Sequence, residues 1–199
     1  MLDTAIRLMQ GGATPSVSEV AEAAGVSRAT AYRYFPSQSS LVQAVVHEAL
    51  GPILTWQSSS PDARRRVGDL VDTALPRIDA FEATFKAALK LSLEQWARRQ
   101  AGTLGEEPRL ARGHRIDLLR QAIEPLGQRL PAAEFDRLAQ ALSLVFGVEA
   151  LVVLKDIWGL DGEATRQVVR WAASALVQAA TDRDDIWKED AGPAGNLSG

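Results

Sequence analysis

Residues 16–35 read Ser-Val-Ser-Glu-Val-Ala-Glu-Ala-Ala-Gly-Val-Ser-Arg-Ala-Thr-Ala-Tyr-Arg-Tyr-Phe, and the fold is decided here. Ser16 followed three residues later by Glu19 is a capping box: the hydroxyl covers an orphan N–H while the carboxylate reaches back to the cap. Val17, Val20, Ala21 and Ala24 then recur at i, i+3, i+4 and i+7, which is one face of a helix. Gly25 ends that helix, where a left-handed residue is needed and glycine carries no Cβ penalty. Ser27 caps a second helix. Ala31 and Phe35, four apart, point inward from it and leave Arg28, Ala29, Thr30, Arg33 and Tyr34 outward. Ala21 is small enough to let the second helix cross close by. Two short helices around a tight turn are the sequence form of a helix-turn-helix, whose second helix lies in the DNA major groove. A helical hairpin with no nucleic-acid role uses the same Ala, Gly and spaced apolar residues, so the flanks must decide.

The 199-residue chain is 46% hydrophobic and 24% charged, the proportions of a globular protein with a substantial core. It has no cysteine, which removes disulfide frameworks, thiolate chemistry and zinc sites from consideration. The N-terminus, Met-Leu-Asp-Thr-Ala-Ile-Arg, has no apolar signal core. The longest apolar stretch, Leu142 to Leu154, is interrupted by Ser143, Gly147 and Glu149 and is too short to span a bilayer. A cytoplasmic protein with no membrane partner is expected. A net charge of −3 does not advertise a nucleic-acid binder, because phosphate neutralisation supplies much of such affinity. Residues 1–50 set Arg7, Arg28 and Arg33 against Asp3, Glu19, Glu22 and Glu48. Placement answers the objection: Arg28 and Arg33 share the exposed face of the second helix, and the acids lie elsewhere.

Outward from this motif the chain reads as helix throughout. Residues 2–10 form one with Leu2, Ile6 and Met9 inward, stopped by Gly11-Gly12. Pro36 ends the recognition helix, and Ser37 caps a fourth through Leu50, with Leu41, Val42, Val45, Val46 and Ala49 on one broad face. Gly51-Pro52 and the Ser-rich stretch to Pro61 mark a domain boundary. Further helices are expected over 62–80, with Pro76 as a kink, and over 81–100, 108–124, 131–158 and 161–180. A disordered tail is expected over 182–199. The fold class is therefore all-α: an N-terminal helix-turn-helix head (1–50) and a C-terminal helical ligand-binding and dimerisation domain (51–181), about nine helices in all. The last two long helices are apolar around much of their circumference, which calls for partners on more than one face. Val145, Phe146, Leu151, Val169, Ala172 and Leu176 are the expected dimer contacts.

In this order of parts the chain resembles the TetR family of transcriptional regulators. The likeness is specific where Val26-Ser27-Arg28-Ala29-Thr30-Ala31-Tyr32-Arg33-Tyr34-Phe35-Pro36-Ser37 and Leu41 stand in the family's order. It is looser at Gly147-Val148-Glu149-Ala150-Leu151 and Trp158-Gly159-Leu160-Asp161-Gly162. The resemblance implies a homodimer that binds double-stranded DNA through its heads, and a small-molecule effector pocket in the C-terminal domain that controls head spacing. There are two departures. Gln38 stands where the family commonly has a basic residue, and the chain begins directly in its first helix without a basic arm. Both imply weaker, less salt-sensitive binding, or a start that lies further upstream.

Within that frame Arg28 and Thr30 are the expected base readers, since arginine pairs bidentately with guanine, and Ala29 allows close approach. Ser16, Tyr32, Arg33, Tyr34 and Gln38 are placed to hold phosphates, which fixes register without reading sequence; Ser27 completes the DNA-facing set. Phe85, Leu89, Trp96, Arg115, Leu119, Phe146 and Glu149 are the candidate pocket residues. Glu149, inside an apolar run, needs a partner: a ligand group or an arginine such as Arg170. The two histidines, His47 and His114, have no metal-ligand spacing, and no catalytic motif, phosphate loop or cofactor signature appears. The expectation is a non-enzymatic regulator without metal or cofactor. The competing reading is a helical ligand-binding dimer with little or no DNA-binding activity, for which the acidic, armless head speaks.

Overall fold

The structure is a computed structural model that describes residues 1–110 and 113–182; the disordered tail expected over 182–199 lies, except for Asp182, outside the described residues. Every regular element among the described residues is helical. The head contains α1 (Leu2–Gln10), α2 (Val17–Ala23), α3 (Arg28–Tyr34) and α4 (Gln38–Leu50). A 3-10 turn at Gly51–Thr55 leads to α5 (Ala63–Ala80), α6 (Glu82–Gln100), α7 (His114–Ala122), α8 (Ala132–Val145), α9 (Val148–Leu151) and α10 (Gly162–Thr181).

The starts of these helices follow local side-chain chemistry. Asp62 caps α5 by accepting from the N–H groups of Arg64 and Arg65, and Asp161 caps α10 by accepting from Ala164 N–H, each covering donors that no helical carbonyl reaches. Helix α5 continues past Pro76 as one element. Helix α7 begins at His114, six residues later than the expected 108. The delay has a tertiary cause, because Leu110 is buried and its N–H donates to Gln95 Oε1 at 3.0 Å.

The single helix expected over 131–158 is two. Phe146 is extended (φ −126°, ψ 123°), Gly147 has φ +117°, and the segments on either side are bent by 45°. A side chain at Gly147 would be strained at that φ, and its Cβ would stand 3.2 Å from Arg115 Cζ. The chain is broken so that the guanidinium can sit against the backbone. After α9 the chain continues as a π-helical turn, Val152–Ile157. This break raises the count of α-helices to ten among the described residues.

Two apolar clusters organise the packing. The larger joins α5, α7, α8, α9 and α10, with Leu70, Leu119, Ile123, Leu142 and Leu151 fully buried at its centre. The smaller is the head core of Ala5, Met9, Val17, Val20, Ala21, Ala31, Leu41, Val42 and Val45, and it is completed by Ala87, Ala88 and Leu91 from α6. The head thus closes its own core on a helix of the body. No single helix among the described residues is long and apolar enough to cross a membrane. Leu142→Ala, at a site with no exposure, is expected to cost about 2–5 kcal/mol of stability, read as a lower urea midpoint at unchanged slope.

Candidate nucleic-acid interface and effector cavity

The helix-turn-helix is set by two caps and one turn. Ser16 N–H donates to Glu19 Oε2 at 2.7 Å and Glu19 N–H donates back to Ser16 Oγ at 3.2 Å, the reciprocal box that the spacing predicts. Gly25 takes φ +66°. Ser27 Oγ accepts from Thr30 N–H at 3.2 Å and lies 2.9 Å from Thr30 Oγ1. Val17, Val20, Ala21 and Ala31 are buried between α2 and α3. That packing turns Arg28, Ala29, Tyr32, Arg33 and Tyr34 to solvent.

On this face Arg28 is exposed and has no carboxylate beside it among the described residues. Thr30 is half-buried and its hydroxyl is engaged by Ser27. Tyr32, 46% exposed, sets its hydroxyl 3.3 Å from Ser18 Oγ and so ties α3 to α2. Arg33 stacks its guanidinium 5.4 Å from the Tyr34 ring centroid. Gln38 differs from its expected role as a phosphate contact. Its Nε2 donates to Thr14 O at 2.9 Å and Pro15 O at 3.2 Å. Both amide hydrogens thus hold the α1–α2 loop, and only the carbonyl acceptor remains, which cannot serve a phosphate oxygen. Position 38 pins the entry to α2.

Helix α4 is clamped to the body at both ends. At its start, Ser39 and Gln95 are both buried, and Gln95 Nε2 donates to Ser39 Oγ at 2.6 Å. Ser39 Oγ donates in turn to Glu107 Oε1 at 3.1 Å, and Arg98 donates to Glu107 Oε2 at 2.7 Å. Burial works to raise the Glu107 pKa, and the hydrogen bonds from Gln95, Ser39 and Arg98 outweigh it and hold the pKa below its ordinary value. At its end, Arg77 Nε donates to Ala49 O at 2.6 Å and Nη2 to Glu48 O at 3.1 Å, satisfying carbonyls that the helix terminus leaves open. Neither clamp has a local sequence signal.

Between the clamps lies a cavity of about 90 Å³. Val46 and Leu50 of α4 form one wall, and Ile78 of α5 and Phe85 and Ala88 of α6 another. Leu110, His114, Arg115, Leu118 and the Phe146–Val148 break close it. Of the expected pocket residues, Phe85, Arg115 and Phe146 line it. Leu89 is half-buried against the larger core, and Leu119 is fully buried there. Trp96 is 57% exposed on the outside of α6; its helical spacing from Phe85 and Leu89 carries it past the end of the body, so it does not reach the cavity. Glu149 lies behind the lining, where Arg115 Nη2 donates to its Oε2 at 2.6 Å. Arg170 pairs with Asp72 instead. The wall residues of α4 were legible only as part of a broad apolar face.

The expected dimer contacts also divide. Phe146, Leu151 and Val169 are buried within one chain as part of the larger core cluster, and they are not available to a partner. Val145, Ala172 and Leu176 are half-buried. The apolar groups left in solvent on the same elements are Leu144, Val153, Ile157, Trp158, Val168 and Trp171, with both tryptophans more than 70% exposed at 72% and 73%.

Residues 1–45 match the family model described as bacterial regulatory proteins, tetR family. The chain is 29% identical over 94 residues to the HTH-type transcriptional repressor LfrR of Mycolicibacterium smegmatis, a segment that is 47% of this chain and 40% of that repressor. The chain therefore spans less than half the length of the curated relative it matches. The crystal structure of a TetR transcriptional regulator from Rhodococcus sp. RHA1 shares the fold, with a TM-score of 0.57 at 21% identity over 88% of this chain and 92% of that one.

The Glu19 pKa is lowered, first by the Ser16 backbone N–H and then by its hydroxyl. A depressed carboxylate adds stability that is present above its unfolded pKa and lost as pH falls through the folded one. The stability difference between the native chain and Glu19→Gln is expected to be full at neutral pH and to shrink below the ordinary value of 4.5, as followed by thermal melts across that range.

Proposed function

We propose, for a chain that belongs through its N-terminal domain to the TetR family of bacterial regulatory proteins, that it is a non-enzymatic, ligand-responsive transcriptional regulator acting in the cytoplasm as a homodimer. The observation that carries this reading is the double duty of α4. The helix follows the recognition helix directly, and Val46 and Leu50 on its other half form a cavity wall. A molecule entering the cavity pushes on the element that aims α3.

The division into a DNA-binding head over 1–50 and a ligand-binding and dimerisation domain over 51–181 belongs to the same proposal. The exposed face of α3 serves double-stranded DNA: Arg28 reads a base edge, and Arg33, Tyr34 and the hydroxyls of Ser16 and Tyr32 hold phosphates. One such helix contacts too few bases to specify a site, so two copies, about 34–36 Å apart, meet a palindromic operator on successive turns. The second copy docks on the apolar groups of α8–α10, where Trp158 and Trp171 are the large, poorly hydrated anchors that interfaces favour. Repression relieved by the effector is the proposed sense, and the M. smegmatis relative is a transcriptional repressor by name. An effector shifts the head spacing only as far as it binds the two spacings with different affinity.

Arg28→Ala is expected to relax preference at one base position, a loss of roughly 1–3 kcal/mol of discrimination. Tyr34→Phe is expected to weaken binding to all sequences alike. Selection from a randomised duplex pool followed by anisotropy titration checks both, and a pool that yields no enriched site favours the competing reading, a ligand-binding dimer without DNA affinity. Trp171→Asp is expected to convert the dimer to a monomer in sedimentation velocity and to abolish operator binding, while far-ultraviolet circular dichroism stays unchanged.

A further inference from the structure

We propose that the effector is an apolar monocarboxylic acid whose carboxylate is taken by Arg115, an inference that rests on the cavity being the effector site. The walls are aliphatic and aromatic, and among the described lining residues Arg115 carries the only formal charge and no carboxylate appears. The neighbouring polar group is an imidazole, His114, whose ring centroid lies 6.0 Å from that of His47 on α4. The polar end of the cavity therefore offers hydrogen-bond donors.

The guanidinium is held in place ready for a ligand. Arg115 Nη1 donates to Ser143 O and Phe146 O, each at 3.3 Å, and Nη2 donates to Glu149 Oε2 at 2.6 Å. These bonds occupy at most three of the five guanidinium N–H donors, so at least two remain. The absence of a Cβ at Gly147, which would lie 3.2 Å from Cζ, leaves room for the group against the backbone. Its Glu149 partner is the more exposed of the two, 39% against 22%, and takes only one of the Nη2 hydrogens.

A carboxylate fits this end better than the alternatives. It pairs with the fork of an arginine through two parallel charge-assisted bonds. A ligand ammonium finds no carboxylate acceptor among the described lining residues, and a hydroxyl gains only an ordinary hydrogen bond. The size of the cavity adds a consequence. At about 90 Å³ it is smaller than the ~150 Å³ that holds a benzene, so an aryl or alkyl body enters by widening the gap against Val46 and Leu50. The acid end anchors on α7 and the body presses on α4.

The test uses the full chain and three probes with one body and different heads: 3-phenylpropanoate, 3-phenylpropan-1-ol and 3-phenylpropylamine, titrated calorimetrically near neutral pH at low salt. The acid is expected to bind at least about ten-fold tighter than the alcohol, with the amine weakest. Arg115→Met is expected to bring the acid down to the alcohol's affinity while the alcohol still binds, which shows that the variant kept its cavity. The native-chain ranking stands by itself if that variant fails to fold. An alcohol or amine that binds as tightly as the acid overturns the carboxylate while leaving a binding cavity. An acid preference that survives in Arg115→Met overturns the role of Arg115. No binding by any of the three overturns the cavity as effector site, and this proposal with it.

Discussion

The carboxamide of Gln95 is 2% exposed, and both of its polar atoms are matched. Its nitrogen serves Ser39 Oγ at 2.6 Å, Glu107 Oε1 at 3.1 Å and Pro108 O at 3.1 Å, and its oxygen accepts from Leu110 N–H at 3.0 Å. A buried amide is costly when unpaired. When every member is paired it rigidifies what it joins. Here it joins the first turn of α4, the middle of α6 and the segment leading to α7. Leu110 in that segment packs with the head core and also lines the cavity, so the polar knot and the cavity share a wall. With Arg77 holding the other end of α4, the helix is fixed at two points, and the cavity wall of Val46 and Leu50 lies between them. Ala31 of α3 shares the head core with Leu41 and Val42 of α4.

What the sequence makes legible is the part governed by neighbours in the chain. The Ser16–Glu19 box and the caps at Ser27 and Ser37 form as their spacing predicts, because a cap reaches only two or three residues. Helical periodicity found the elements and the head core for the same reason. Contacts over long sequence separations were not legible. Gln38 looks like a surface polar group until the carbonyls of Thr14 and Pro15 are brought beside it. Leu151 and Val169 carry the same apolar signal as Ile157 and Trp171, and only the packing of α5 decides which pair is covered. Glu149 was readable as a carboxylate in need of a partner, and the arginine that supplies it comes from a helix 34 residues away in sequence.

The π-helical turn after α9 shows how the apolar outer face is supported. Lys155 reaches back from it to Asp79 and Glu82, each at 2.5 Å, and Lys86 bridges Glu82 and Asp156 at 2.6 Å. Hydrogen bonds donated by Lys155 to Asp79 and then Glu82 raise its pKa. Burial works to raise the Glu82 pKa, and its bonds to Lys155 and Lys86 outweigh this and lower it. The charged network secures the inner side of the turn, and Val153, Ile157 and Trp158 stand outward. A turn with i→i+5 bonds is wider than an α turn and is uncommon outside functional positions; here it presents adjacent apolar side chains on a base that does not yield.

The acidic balance of the chain loses its force as an objection to DNA binding once the charges are placed. In the body, Arg66, Arg98, Arg115, Arg120 and Arg166 are each paired with a carboxylate within 3.0 Å, so most of that charge is cancelled locally. In the head, Glu19 is turned back into its own cap. Arg28 and Arg33 stand on α3 without a carboxylate partner among the described residues. Phosphates respond to the field at the contact surface, and that field is screened within about 10 Å at ordinary salt. A net negative molecule with an uncancelled positive helix face is electrostatically fitted to a duplex along that face and repelled elsewhere.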